Sequence, residues 1–276
     1  VAEVALQAID RGVGPRYRAV FLDEAQDFGT KALTFVTKLL KDGSDDLVVV
    51  ADAAQNIFRR RFSWRQAGIQ AQGRTRILKT NYRNTKEILE FASNFLLASP
   101  DLKPDDIPDP DDETAVIPPE SAARSGEKPE LKFVSDIGAE IDETIEKVKS
   151  WTANVKSPKS IAVLYASSMD GDTFRAGRLR DKLRSAGVST FWLNDPSDKK
   201  ARDRIAESED TVILSTIHSS KGLEFPKVVM CGVWNDRSEA EENRKLAYVG
   251  MTRAMDYLSV ITKKGNPLVP DLEKAI

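Results

Sequence analysis

The sequence predicts an α/β fold of mostly parallel sheets with helices on both faces, a three-layer αβα arrangement. Three observations carry that prediction. Short β-branched or aliphatic runs alternate with longer amphipathic segments along the 276 residues. Several apolar runs end on polar or charged residues, as at Asp23–Glu24, Asp52 and Thr216–His218. Ligands of parallel α/β sheets bind at the carboxyl ends of strands, so these ends are where chemistry is expected. Finally, 41% apolar and 30% charged residues describe a globular chain, neither disordered nor fibrous.

Buried strands are expected at 19–22, 47–51, 76–79, 131–134, 161–165, 190–193, 211–215, 227–231 and 258–262. Helices are expected at 30–41, 138–151, 173–186 and 244–251. Another begins at Asn84, where Asn84 and Glu87 have capping-box spacing. Gly187 follows the 173–186 segment, where a left-handed glycine ends a helix. The acidic, proline-rich stretch 100–130 reads as a long surface loop. A domain boundary is expected near Gly73, giving domains 1–73 and 74–276.

Composition excludes several classes. No apolar run approaches the roughly 18 residues of a membrane span, and the first residues do not read as a signal peptide. One cysteine, Cys231, rules out an intrachain disulfide and fits a reducing cytoplasm. One His and one Cys leave no set for a structural zinc. The net charge of −2 gives no bulk attraction to nucleic acid. Arg59, Arg60, Arg61, Arg65, Arg74 and Arg76 nevertheless cluster, either as a phosphate-binding patch or as a solvated surface.

Five strings carry chemistry. In Val20-Phe-Leu-Asp23-Glu24-Ala-Gln26-Asp27 an apolar strand delivers two carboxylates, one suited to Mg²⁺ and one to activating a water. A second strand leads through Asp52 to the neutral amide of Gln55. Aromatics and arginines then alternate through Phe58, Arg61 and Trp64, a mix that stacks on bases or simply packs. In Leu78-Lys-Thr-Asn81-Tyr82-Arg83-Asn84 an aromatic ring and a guanidinium stand together before a helix. In Ser215-Thr216-Ile-His218-Ser-Ser-Lys221-Gly222-Leu-Glu224-Phe225 hydroxyl, imidazole, lysine and carboxylate groups follow a strand. The last, Arg244-Lys-Leu-Ala-Tyr248-Val-Gly-Met-Thr252-Arg253-Ala, puts Arg253 near a helix end, ordinarily a place for a solvated or capping arginine.

In this order the five strings resemble motifs II to VI of the UvrD/Rep/PcrA family of superfamily 1 helicases. The resemblance implies RecA-like domains, ATP with Mg²⁺ at their interface, and single-stranded DNA running across both, with 3′-to-5′ movement. It implies that Asp23 holds the metal, Glu24 is the catalytic base and Gln55 senses the γ-phosphate. Tyr82 stacks on adenine, Arg83 and Arg253 meet the γ-phosphate, and Gly222 and Glu224 lie at the nucleotide, Glu224 near its sugar. Phe58, Arg61, Trp64, Thr216 and His218 fall to the DNA path. Ala51 stands where the family has glycine, and Arg60 where it has a base-stacking tryptophan.

No G-x-x-x-x-G-K-[ST] occurs in these residues. The expectation is therefore a chain lacking the upstream Walker A segment and inactive in ATP hydrolysis by itself, with an apolar sheet edge or face of the first domain uncovered. The family's large helical insertion is expected to be replaced by a short link after Leu193. The acidic loop is a candidate dock for a protein partner. The alternative reading is a degenerate remnant that binds DNA or protein without catalysis.

Overall fold

A computed structural model describes residues 1–52, 64–76, 78, 80–98, 121–153, 157–166, 176–195, 200, 211–232 and 240–276. These fall into two compact units, one within Val1–Leu78 and one after it.

In the first unit, α1 (Ala2–Asp10), β1 (Ala19–Leu22), α2 (Thr30–Thr37) and β2 (Asp46–Val49) follow in order. The strands pair in parallel, from Ala19 opposite Asp46 to Leu22 opposite Val49. Their period of two turns Leu22 and Val49 toward Ala25, Leu33 and Ala67. The same period turns Phe21, 77% exposed, and Val48, 46% exposed, to the other face. These two strands were expected to be buried, in a domain also expected to leave an apolar sheet edge or face uncovered; one face of each is partly buried and the other open.

The second unit opens with β3 (Thr80–Thr85) and α3 (Lys86–Leu97), then β4 (Ser121–Arg124), β5 (Glu130–Val134) and α4 (Ile137–Thr152). It continues through β6 (Ile161–Tyr165), α5 (Ala176–Ser185), β7 (Thr190–Trp192), β8 (Val212–Thr216) and β9 (Phe225–Cys231). It ends with α6 (Ala240–Met251), β10 (Ala254–Lys263) and α7 (Val269–Ala275). Six strands form one parallel sheet in the order β5-β10-β9-β6-β8-β7. Ile161, Val163 and Tyr165 share a core with Ile141, Ile145 and Val148 of α4 and Leu179 and Leu183 of α5. The alternate residues Ala162 and Leu164 are equally buried on the opposite face, where α3, α6 and α7 gather. Gly250 lets α6 lie close to β9, since a Cβ there would stand 2.8 Å from Met230 Sδ. Among the described residues no helix is long and apolar enough to cross a membrane.

The strand expected at 76–79 does not form at Arg76 or Leu78; pairing begins at Thr80, where β3 runs parallel to β4. β4 itself lies in the stretch read as a loop. The capping box also fails. Thr85 precedes α3 and makes no side-chain cap, and Asn84 is engaged elsewhere. Glu87 accepts from Gly126 N–H at 2.7 Å. That bond and the one from its own N–H, the larger effect, hold the Glu87 carboxyl below its usual range.

Glu140, in the first turn of α4, is 2% exposed and accepts from Gly232 N–H at 2.6 Å where β9 ends. Burial pushes its pKa up to about 7, against that hydrogen bond and the charge of Lys263. The folded chain thus retains a proton that the unfolded chain releases from about pH 4.5 upward. The stabilisation is complete below that pH and is lost as pH rises through about 7. Between pH 5 and 8 the wild type is expected to lose about 2 kcal/mol relative to Glu140→Gln. Urea unfolding at both pH values checks this, and a stability difference between the two proteins that is the same at both would contradict it.

Candidate functional site

At the exit of β1 the chain turns sharply. Asp23 is exposed and its Oδ1 accepts the Glu24 N–H at 2.8 Å. Glu24 is left-handed, at φ 53° and ψ 40°, and opens the 3₁₀ turn Ala25–Asp27. A carboxylate residue in that region holds about 1–2 kcal/mol of backbone strain. Gln26 stabilises the turn. Only 1% exposed, it donates from Nε2 to Glu24 Oε2 at 2.6 Å and accepts from Asp52 N–H at 2.9 Å. One buried amide therefore ties the candidate base to the exit of β2. The sequence displayed Gln26 within the acidic string, but nothing there marked it as the part that aims Glu24.

Gln55, Phe58 and Arg61 lie outside the described residues. Trp64 is half-buried against the Ala25–Leu33–Ala67 core of its unit. Its ring is thus a packing surface first, whatever it offers to a base.

In the second unit, three stretches far apart in sequence are stitched together. Tyr82 stands 75% exposed. Beside it, Arg83 Nε pairs with Glu224 Oε2 at 2.6 Å. Arg253 follows α6 and is 2% exposed. Its Nε donates to Val249 O at 3.1 Å, its Nη1 to Leu223 O at 3.2 Å, and its own carbonyl accepts from Phe225 N–H at 2.9 Å. The solvated or capping arginine that its position suggested is instead a buried one. It is held there because the turn before β9 presents a carbonyl to it. Arg124 of β4 donates to Arg83 O at 2.9 Å and pairs with Asp256 of β10. Arg83 therefore meets the side chain of Glu224, and Arg253 is bonded to the backbone on either side of it, at Leu223 and Phe225.

Gly222 sits at φ 80° in the turn that leads to Glu224, a conformation that favours glycine. Thr216 Oγ1 accepts from Ser219 N–H at 3.1 Å, forming the turn after β8. Asn194, after β7, braces that turn: its Oδ1 accepts from Thr216 N–H at 2.8 Å and its Nδ2 donates to Ser219 Oγ at 2.6 Å. His218 is half-buried, and burial holds its imidazole below the usual value, opposed by a hydrogen bond to the Ala166 carbonyl. At neutral pH this favours the uncharged ring, a hydrogen-bonding group rather than a cation. Asn194 was missed because an asparagine after a strand carries no pattern of its own.

Among the described residues no cluster of three or more His, Cys, Asp or Glu side chains has the geometry of a metal cage. Asp23 is an exposed hard-oxygen donor, and Mg²⁺ is commonly held by one or two carboxylates with phosphate oxygens and water. The donor set fits that ion.

The sequence profile of the UvrD-like helicase C-terminal domain matches residues 77–194 and 193–265. That of the UvrD/REP helicase N-terminal domain matches residues 6–80. The ATP-dependent DNA helicase Rep of Salmonella typhimurium is 42% identical over 81 residues, 26% of this chain and 12% of that protein. The Rep of Buchnera aphidicola is 44% identical over 121 residues, 41% of this chain and 17% of its own. The ATP-dependent DNA helicase PcrA of Bacillus subtilis is 36% identical over 80 residues, 25% and 11% respectively. The chain thus spans no more than 17% of the length of these three relatives. A solved C-terminal domain of a possible DNA helicase from Lactobacillus plantarum WCFS1 aligns with TM-score 0.46 and 19% identity, over 71% of this chain and 94% of that one.

Proposed function

The chain belongs to the UvrD-like helicase family, and from that premise we propose that it forms part of an ATP-dependent motor moving 3′ to 5′ along single-stranded DNA in the cytoplasm. The observation that carries this reading is the Arg83–Glu224 ion pair, formed next to the Leu223 carbonyl that holds the buried Arg253. A guanidinium paired with a carboxylate, with a second arginine held at the adjoining turn, suits a nucleotide's phosphates and sugar.

In this reading Asp23 holds Mg²⁺, which neutralises charge on the phosphate oxygens of ATP. Glu24, aimed by Gln26, accepts the proton of the attacking water, and Gln55 positions that water. Tyr82 stacks on the adenine, and Gly222 shapes the turn that brings Glu224 to the sugar. Arg83 and Arg253 stabilise the negative charge that builds on the transferred phosphoryl group. Phe58, Arg61, Trp64, Thr216 and His218 line the DNA path. The phosphate-binding loop that such a motor needs is not among these 276 residues and is supplied by another segment. The chain alone binds nucleotide weakly. The acidic stretch offers a dock to a protein partner.

The burial of Arg253 favours a second reading, a non-catalytic DNA- or protein-binding module, because a guanidinium serving two backbone carbonyls already has a structural role. The two readings share the DNA path, which can be tested on the chain itself. Anisotropy of a labelled single-stranded oligonucleotide should show binding that weakens about tenfold between about 50 and 200 mM salt. No binding, or an affinity indifferent to salt, would remove the DNA path from both.

A further inference from the structure

Asn84 stands where its sequence context suggests a helix cap, and it does something else. Its side chain is 1% exposed. Nδ2 donates to Thr252 O at 3.0 Å and to Ala254 O at 2.5 Å, the carbonyls on either side of Arg253. Its Oδ1 accepts from Asn81 Nδ2 at 2.8 Å. Asn81 Oδ1 in turn accepts the backbone N–H groups of Arg83 and Asn84, at 2.8 and 2.9 Å. Both donors and the acceptor of one buried amide are therefore engaged, and its two donors bracket a residue 169 positions away, midway between separations of 168 and 170. At the surface, Arg124 makes a parallel tie, from the Arg83 carbonyl to Asp256, three residues past Arg253.

We propose that Asn84 is a positioning residue that fixes the backbone bearing Arg83 to the backbone bearing Arg253, with Arg124 as its outer counterpart, so that the two guanidinium groups keep one spacing. The inference deepens the reading above and rests on it for its purpose: two cations that meet one triphosphate must be held at its geometry before it arrives. The chemistry of the side chain is specific. Only a primary amide brings two N–H donors from one nitrogen to two carbonyls at this reach. Serine has one donor, and aspartate would set a carboxylate against two carbonyl oxygens. A helix cap would have served α3 alone; this amide leaves α3 without a side-chain cap and joins segments from opposite ends of the unit.

Hydrogen exchange by NMR on the 276-residue chain tests the tie without any nucleotide. The probes are the Arg253 Nε–H, bonded to Val249 O, and the Phe225 N–H, bonded to Arg253 O. Val163, fully buried in the central β6, is the reference. In Asn84→Ala both probes are expected to exchange about tenfold faster while Val163 is unchanged. Unchanged probes, or a rise shared equally by Val163, would overturn the proposal and leave Asn84 a general stability residue. If Asn84→Ala does not fold, Arg124→Gln decides, because that side chain is 40% exposed. Selective acceleration at Arg83 N–H and Phe225 N–H supports the tie, and no change at either overturns it. A second arm adds inorganic tripolyphosphate to the wild type and follows the Nε–H signals of both arginines. Joint shifts support the proposal and the nucleotide reading together. Selective exchange with no response to tripolyphosphate keeps the tie, and the nucleotide reading is then decided by ATP turnover in a polypeptide that joins this chain to a phosphate-binding loop.

Discussion

Arg253→Ala is expected to destabilise the folded chain by about 3 kcal/mol or more, an unusual effect for an arginine. Most arginines are solvated, and their removal costs little. Arg253 is the largest fully buried side chain among the described residues. Alanine would leave a void where the guanidinium and its stem now lie, and would strip the Leu223 carbonyl of its donor. Each contributes, the void by the lost packing and the carbonyl by its desolvation. Arg253→Lys retains the charge and most of the volume, but a single ammonium cannot reproduce the planar fork that reaches Val249 O and Leu223 O together. Its cost should be smaller. Urea unfolding of the three proteins checks the order. A stability of Arg253→Ala within about 0.5 kcal/mol of wild type would show that the burial has no energetic weight.

Glu24→Gln is expected to do the reverse, leaving stability nearly intact while removing catalysis. The amide keeps an oxygen for Gln26 Nε2, so the turn and its link to Asp52 survive. What is lost is the carboxylate proposed to accept a proton from water. In a polypeptide that joins this chain to a phosphate-binding loop, turnover should fall by about 10²–10⁴-fold with little change in unfolding midpoint. The left-handed backbone at Glu24 supports this assignment, since strain at a non-glycine residue persists only where its surroundings hold it. Turnover that survives the substitution would transfer the role of base to another residue.

The sheet core was the most legible part of the chain. The runs at β6, β8, β9 and β10 are apolar, bounded by polar residues, and sit where their composition placed them, because strands buried on both faces need little else to be recognised. β3 and β4 were not legible. Their residues are mostly polar or small, and their pairing depends on a long-range parallel contact that no local pattern announces. Asn84 shows the same limit in one residue. Its spacing to Glu87 fits a cap, but its Oδ1, the atom a cap uses, accepts from Asn81 Nδ2 while two carbonyls beside Arg253 hold its Nδ2. At the candidate site the motif residues were visible in the sequence, whereas the groups that aim them, Gln26, Asn84, Arg124 and Asn194, emerge only when distant backbone atoms are brought within hydrogen-bond reach. The burial of Arg253 was hidden for the same reason.

The most direct test is phosphate release from ATP by this chain joined to the phosphate-binding-loop segment of a family member, measured with and without single-stranded DNA. The account predicts turnover that rises on adding the DNA. Absence of turnover in a folded, joined polypeptide, or turnover indifferent to single strands, would contradict the claim that these residues form part of a DNA-driven motor.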